Sequence, residues 1–412
     1  MVLRAADDVL NAAPAETIAL LSTYFENVGD DLIRIGVQQQ ISSALCTTPR
    51  WRHITKSNAL SLELPLSRAT HAPLARMTAD ERREAASAAS APRDADRAIG
   101  DKISVADALV VAGTPLFYFV GGESFLDIEA LHGGDWPRVV FAERIESRPG
   151  PRMIALGVGS IYEGSPESVL AGQPRAAKFI RRFVERAALV TTRDAPTDAL
   201  LRAACPGAEA RLLRSVCPSF WAAERFGASV PVPQRRVTIC FALESADWDR
   251  SAPHGAVVDA RENALSRVIT YFRKRDYSLA LVAHNRLDVD AAARVAQRRG
   301  LPPAELIDAQ QLVDEVSRSA VVVTWRVHGA VAARSVGRPA LLFRTDSRWE
   351  TAAEFGAHVL DDRTASKSDL EAMLDRLCEA ATQDPAETMA AADALRAKEF
   401  ARLRDPLVTA LG

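Results

Sequence analysis

The run Val321-Val322-Val323-Thr324 constrains the fold more than any other feature of the chain. Four consecutive β-branched residues are stiff at χ1, and the lack of polar alternation marks a strand covered on both faces. Such strands belong to parallel sheets, where each neighbour is reached through a helix-sized crossover. The second half of the sequence supplies that alternation. Strands are expected at 237–241, 278–283 and 340–343, with helices at 260–272, 288–299, 330–336 and 349–355. A helix-rich stretch follows from 369 to 411.

The first half alternates less regularly. Its pattern predicts helices at 31–43 and 177–186 and strands at 108–111, 139–141, 154–157 and 188–191. Residues 67–97 are rich in Ala, Arg, Asp and Glu without a β signal, and read equally as surface helix plus loop or as a disordered insertion. Pro231 and Pro233, within 226–236, mark a linker between two α/β patterns. The expected architecture is α/β, with two Rossmann-like domains facing a cleft. The expected boundaries are 1–225, including the 67–97 insertion, then 236–384, then a helical tail at 385–412.

Charge and composition narrow the function. Lys+Arg 51 against Asp+Glu 53 leaves a net charge of -2, which argues against a globally basic nucleic-acid binder. No apolar run reaches the roughly 18 residues of a membrane helix. The N-terminus has no basic-then-apolar secretion pattern. The five cysteines are scattered and form no C-x-x-C, so neither a disulfide framework nor a zinc site follows from their spacing. A cytoplasmic protein is expected.

In open α/β sheets ligands bind beyond the carboxyl ends of strands, so the residues there are the candidates. After the buried strand comes Trp325-Arg326-Val327-His328-Gly329. Arg326 offers a planar fork for carboxylate or phosphate, and His328 a proton-transfer group suited to neutral pH. Gly329 permits close approach of a ligand or of backbone. A surface ion pair and a satisfied loop histidine are the plainer account. Arg193-Asp194 follows strand 188–191, with Asp194 placed to cap a helix and Pro196 in its first turn. Asn27 and Gly29 fit a tight turn, and Asp30 a helix N-cap. The glycine turns at Gly113 and at Gly157-Val158-Gly159 are weaker candidates, as is His284. No Walker loop, H-E-x-x-H or G-x-S-x-G is present, and the D-x-D of Asp288-Val289-Asp290 reads as a capping pair rather than as a metal motif.

Taken in order, these pieces resemble the polysaccharide pyruvyl transferase family. Its Asn-x-Gly-Asp element matches Asn27-Val28-Gly29-Asp30, its Arg-Asp matches Arg193-Asp194, and its Ser-Arg-Leu-His-Gly signature matches Trp325 to Gly329, followed by Gly337-Arg338-Pro339. The resemblance runs from about Asn27 to about Phe355. Trp325 replaces the usual serine, Cys217-Pro218 stands where Asp-Pro is common, the first-domain glycine run is reduced to Gly113, and Arg348 takes the place of a lysine.

The resemblance implies a glycosyltransferase-B-like fold and a transferase of exopolysaccharide or cell-envelope biosynthesis. It would carry a pyruvyl group from phosphoenolpyruvate to a sugar or glycan acceptor as a ketal, releasing phosphate. Phosphoenolpyruvate is then a co-substrate, and no cofactor or metal is implied. Arg193, Arg326 and Arg348 would clamp the donor, the helix opening at Gly329 would hold its phosphate, and His328 with Arg326 would carry the chemistry. Asn27, Gly29, Asp30 and Trp325 would lie on the acceptor side, Trp325 either stacking on a sugar or packed in the core. A lipid-linked acceptor would bring the protein to the inner membrane face, with Arg181-Arg182 or Lys274-Arg275 as contacts unless these are ordinary solvated faces. The rivals are a nucleotide-sugar glycosyltransferase on the same fold and an inactive binding protein.

Overall fold

The computed structural model describes residues 16–22, 28–55, 101–113, 115–120, 123–124, 152–162, 164–227, 234–242, 254–284, 286–302, 304–345 and 348–412. Asn27, the 67–97 segment, the expected strand at 139–141 and residues 228–233 of the expected linker lie outside them.

The first sheet is built from β1 (Thr17–Ser22), β2 (Arg50–Thr55), β3 (Ala108–Ala112), β4 (Pro115–Val120), β5 (Glu123–Ser124), β6 (Arg152–Tyr162), β7 (Ala187–Thr192) and β8 (Leu212–Arg214). Its parallel order is β2-β1-β3-β6-β7-β8, with the β4–β5 hairpin along the second half of β6. Helix α1 (Val28–Leu45) follows β1, α2 (Pro174–Arg186) precedes β7, and α3 (Ala195–Ala204) follows it.

Strand β6 does not stop at residue 157 as the sequence pattern suggests. Gly157 adopts φ +66, the register on β7 shifts between Ala155 and Val158, and the strand passes from β3 to β4 as its other neighbour. The bulge lets one strand serve two partners. Gly113, φ +62, makes the matching step from β3 to β4 with Ile33 packed over it. Neither glycine forms an open anion cradle.

The second sheet comprises β9 (Gln234–Cys240), β10 (Ser278–Ala283), β11 (Glu305–Leu306), β12 (Ser319–Thr324), β13 (Ala340–Phe343) and β14 (His358–Leu360). All its strands are parallel, in the order β11-β10-β9-β12-β13-β14. The connections reverse direction between β9 and β12, which opens a crevice at their carboxyl ends. The helices are α4 (His254–Arg273), α5 (Arg286–Arg299), α6 (Ala309–Arg318), α7 (Val327–Ser335), α8 (Trp349–Ala353), α9 (Lys367–Ala380) and α10 (Pro385–Leu411). Several starts are written locally. Asp308 and Gln311 form a reciprocal capping box on α6, Ser366 and Asp369 do so on α9, and Asp384 caps α10 ahead of Pro385.

Two of the three apolar clusters each lie within one half, while the third joins them. That seam gathers Val37 and Ile41 of α1, Phe220 and Trp221, Leu312 and Val316 of α6, and Leu403 and Leu407 of α10. Its closest packing is at Gly36, where a Cβ would lie 1.7 Å from the Pro218 carbonyl oxygen. Pro218 also rests on Gly157, and Cys217 beside it is fully buried with Sγ 3.1 Å from Ser219 Oγ. Arg396 of α10 donates to the Ser335 carbonyl at 2.6 Å, tying the last helix to α7. Among the described residues no helix is long and apolar enough to cross a membrane.

Candidate functional site

Arg193 leaves the end of β7 yet is only 4% exposed. Its guanidinium lies flat on Gly159 of β6, where a Cβ would come within 2.5 Å of Nη2 and 2.6 Å of Nε. Only a glycine leaves that space. Nε stands 3.7 Å from Asp194 Oδ2 and, among the described residues, has no hydrogen-bond acceptor. Asp194 is already engaged: its Oδ1 accepts from Thr197 N at 2.9 Å, the cap on α3 expected from the sequence. Thr351 of α8 approaches Oδ2 at 3.4 Å from the other half of the chain. Burial pushes the Asp194 carboxyl up against the pull of Arg193 and these hydrogen bonds. A buried guanidinium with an unmet donor is costly on its own, and an anion is what would satisfy it.

At the end of β12 the chain turns sharply. The Thr324 hydroxyl accepts from Arg326 N and donates to Arg326 O, both at 2.8 Å, which sets the corner. The Arg326 fork does not project freely. It is held by Asp288 through Nε at 3.0 Å and Nη2 at 2.6 Å, and Asp288 is fully buried. Asp288, expected as a cap, is therefore the anchor of the motif corner. Gly329, expected to face a ligand, instead faces the sheet: a Cβ there would lie 2.7 Å from Thr324 Oγ1 and 3.2 Å from Cys240 Sγ. Its role is to let α7 seat on β9 and β12.

Trp325 does not reach the acceptor side. It is 1% exposed, stacks on Phe343 at 4.3 Å, meets Phe241 edge-on at 5.1 Å, and donates from Nε1 to Asp362 at 2.7 Å. Its apolar body and single donor are both satisfied inside the second core.

His328 sits in the first turn of α7 against α1, so close that a Cβ on Gly29 would lie 2.2 Å from its Nδ1. Its Nε2 is shielded from solvent and has no hydrogen-bond partner among the described residues. Helix α1 begins at Val28, so Gly29 and Asp30 lie within its first turn and Asp30 is not its N-cap. The first amide of α1 is satisfied from the other half instead, Val28 N donating to the His284 carbonyl at 3.1 Å. His284 ends β10, is 2% exposed, and has neither ring nitrogen bonded among the described residues.

Burial holds the His328 imidazole well below its usual range, reinforced by Arg193, Arg348, His284 and Arg326. Burial, then Arg326, pushes His284 down to about 3. Both rings are thus neutral near pH 7, each with one N–H donor and one acceptor nitrogen. Arg348, half-buried just ahead of α8, lies close enough to act on His328. Arg193, Arg326 and Arg348 all lie within electrostatic reach of His328, which packs on Gly29. Sequence reasoning missed Gly159 as the floor under Arg193 and the anchoring by Asp288, both set by contacts more than 30 positions apart in the chain.

The sequence profile described as polysaccharide pyruvyl transferase matches residues 27–347, a span containing every one of these residues except Arg348. The chain belongs to this family. No curated protein sequence matches it as a relative. Among solved structures, one described as a UDP-N-acetylglucosamine 2-epimerase from Listeria monocytogenes superposes with a TM-score of 0.52 at 11% identity, covering 92% of this chain and 91% of that one. A second epimerase of that name, from Rickettsia bellii, gives a TM-score of 0.50 at 11% identity, covering 96% and 97%. At such identity these similarities speak to the fold, the two-sheet arrangement of B-type glycosyltransferases. Family membership makes the chain a transferase acting in polysaccharide synthesis.

Proposed function

We propose that this transferase uses phosphoenolpyruvate as donor and builds a pyruvate ketal on two hydroxyls of a sugar in its glycan acceptor. One observation carries the reading: a buried Arg193 donor without an acceptor lies within electrostatic reach of a neutral His328 whose shielded Nε2 is likewise unpaired among the described residues. Phosphoenolpyruvate brings a carboxylate and a phosphate on one carbon, and fixed guanidiniums in a shielded site favour such a polyanion. Arg193 and Arg348 bind it. Arg326, pinned by Asp288, lends its charge and holds the corner that presents His328.

The ring chemistry fits addition to an enol. Neutral His328 takes the proton of the attacking hydroxyl and, now cationic, returns it to the donor's methylene carbon as the C–O bond forms. The resulting carbon carries a methyl, the carboxylate, the phosphate and the first sugar oxygen. The second hydroxyl then displaces phosphate, which leaves with that hydroxyl's proton, and the ketal closes. The scheme draws on no cofactor or metal.

Calorimetric titration with phosphoenolpyruvate, with UDP and GDP alongside, tests the donor. Phosphoenolpyruvate binding that is lost with Arg193→Ala is the expected result. Nucleotide binding with phosphoenolpyruvate silent would move the reading to a nucleotide-sugar glycosyltransferase. With donor and a diol-bearing glycan acceptor supplied, His328→Ala is expected to slow phosphate release by roughly 10²–10⁴-fold, the usual scale for a general acid–base group, while donor binding stays.

A further inference from the structure

The proposed chemistry leaves the buried His284 ring beside His328 without a use. His284 is 2% exposed and has no hydrogen bond at either ring nitrogen among the described residues. A ring in that state costs stability, since both its polar atoms have lost water and gained nothing. An apolar side chain of similar size would fill the same space without that cost. The ring also stands at a defined place. It follows β10 of the second sheet, and its carbonyl holds the first amide of α1 at 3.1 Å, next to the Gly29 that packs on His328. Its electrostatic neighbours are Arg326, whose charge Asp288 balances, and His328. The unmet donors of the cleft, on Arg193, His284 and His328, therefore belong to three different strand ends.

We infer that His284 is a further ligand-contacting residue of this cleft, donating a ring N–H to a phosphate-class oxyanion of the substrate. The inference rests on reading the cleft as an anion site; it does not depend on the anion being phosphoenolpyruvate. A negative acceptor group is favoured over a hydroxyl because Arg193 and Arg348, which act on the neighbouring His328, bring positive charge to the same cleft. The bound anion would face Arg193 from the first half and His284 from the second, so that closing over it satisfies donors from both.

The test uses the full chain labelled with ¹⁵N-histidine. The ring signals of His284 are assigned by their absence in His284→Gln, and those of His328 by their absence in His328→Gln. Inorganic phosphate and phosphoenolpyruvate are titrated separately. The expected result is a saturable shift of the His284 ring nitrogens with both. Calorimetry is expected to give an approximately tenfold weaker phosphate Kd in His284→Leu, the scale of one charge-assisted hydrogen bond. Recovery in His284→Gln would place the donor at Nε2, and recovery in His284→Asn at Nδ1. A His284 signal that stays still while His328 shifts overturns the inference, as does a failure of both rings to respond to either anion. A His284 shift with phosphate but not with phosphoenolpyruvate upholds the inference and removes the proposed donor. Should His284→Leu fail to fold, the wild-type titration decides alone.

Discussion

Arg193 and Arg326 occupy corresponding places in the two halves of the chain. Each follows an inner parallel strand, β7 or β12, and each precedes a helix, α3 or α7. Their side chains have different fates. Arg326 gives two of its donors to a fully buried carboxylate, Asp288. Arg193 lies on a bare glycine with Nε unmet, its neighbouring carboxylate 3.7 Å away and engaged in capping. The same residue type at the same topological position is a strut in one half and an open contact in the other. What separates them is whether a second strand end supplies a carboxylate or leaves a flat surface.

That contrast can be broken by substitution. Asp288→Ala strands a buried guanidinium and is expected to cost about 3–5 kcal/mol of stability, read by urea unfolding. Arg193→Gln removes a donor with no hydrogen-bond acceptor among the described residues, so stability should stay within about 1 kcal/mol while donor affinity falls by about 1.5–3 kcal/mol in calorimetry. Equal losses of stability in the two variants would erase the distinction. Gly29→Ala adds a methyl into the His328 ring and is expected to lower turnover up to about 100-fold by displacing the imidazole, with a folding cost of about 1–3 kcal/mol. Unchanged turnover would mean that the ring's position against α1 is irrelevant to the chemistry.

The smallest effect is set by protons. His284 in the folded protein sits at about 3 against an ordinary 6.5, so below pH 6.5 the unfolded chain binds a proton that the folded one refuses. Its contribution to stability is therefore complete above about 6.5 and is lost as pH falls toward 3, at up to about 1.4 kcal/mol per pH unit. Urea unfolding of the ligand-free protein between pH 7 and 5 should fall more steeply for wild type than for His284→Leu. Parallel slopes would show that the ring is solvated and protonates freely.

Much of this was legible where the signal is local. The unbroken β-branched run announced a doubly covered strand, and Asp194 before Pro196 announced a capped helix, because both depend on residues a few positions apart. The helix at 31–43 was placed three residues late: α1 already begins at Val28, whose amide is met by a carbonyl 256 positions away, that of His284, a contact no local pattern encodes. Trp325 beside the motif read equally as a sugar platform or as a packed aromatic, and the choice was decided by Phe343, Phe241 and Asp362, which no pattern around residue 325 encodes. Gly329 and Gly159 were visible as glycines, but the atom each makes room for was not.

The apolar seam between the sheets bears on how such proteins can be rearranged. Its members come from α1, the Phe220-Trp221 turn, α6, α7 and α10, so neither half owns the surface it needs. A chain divided at the linker would give two fragments, each with its widest oily face in water and each missing a partner for its folding. Grafting the second half onto another protein's first half would likewise fail unless the faces of α1 and of the Phe220-Trp221 turn came along. In this chain the two halves are inherited together, and changes of substrate are expected at the strand ends rather than by exchange of whole modules.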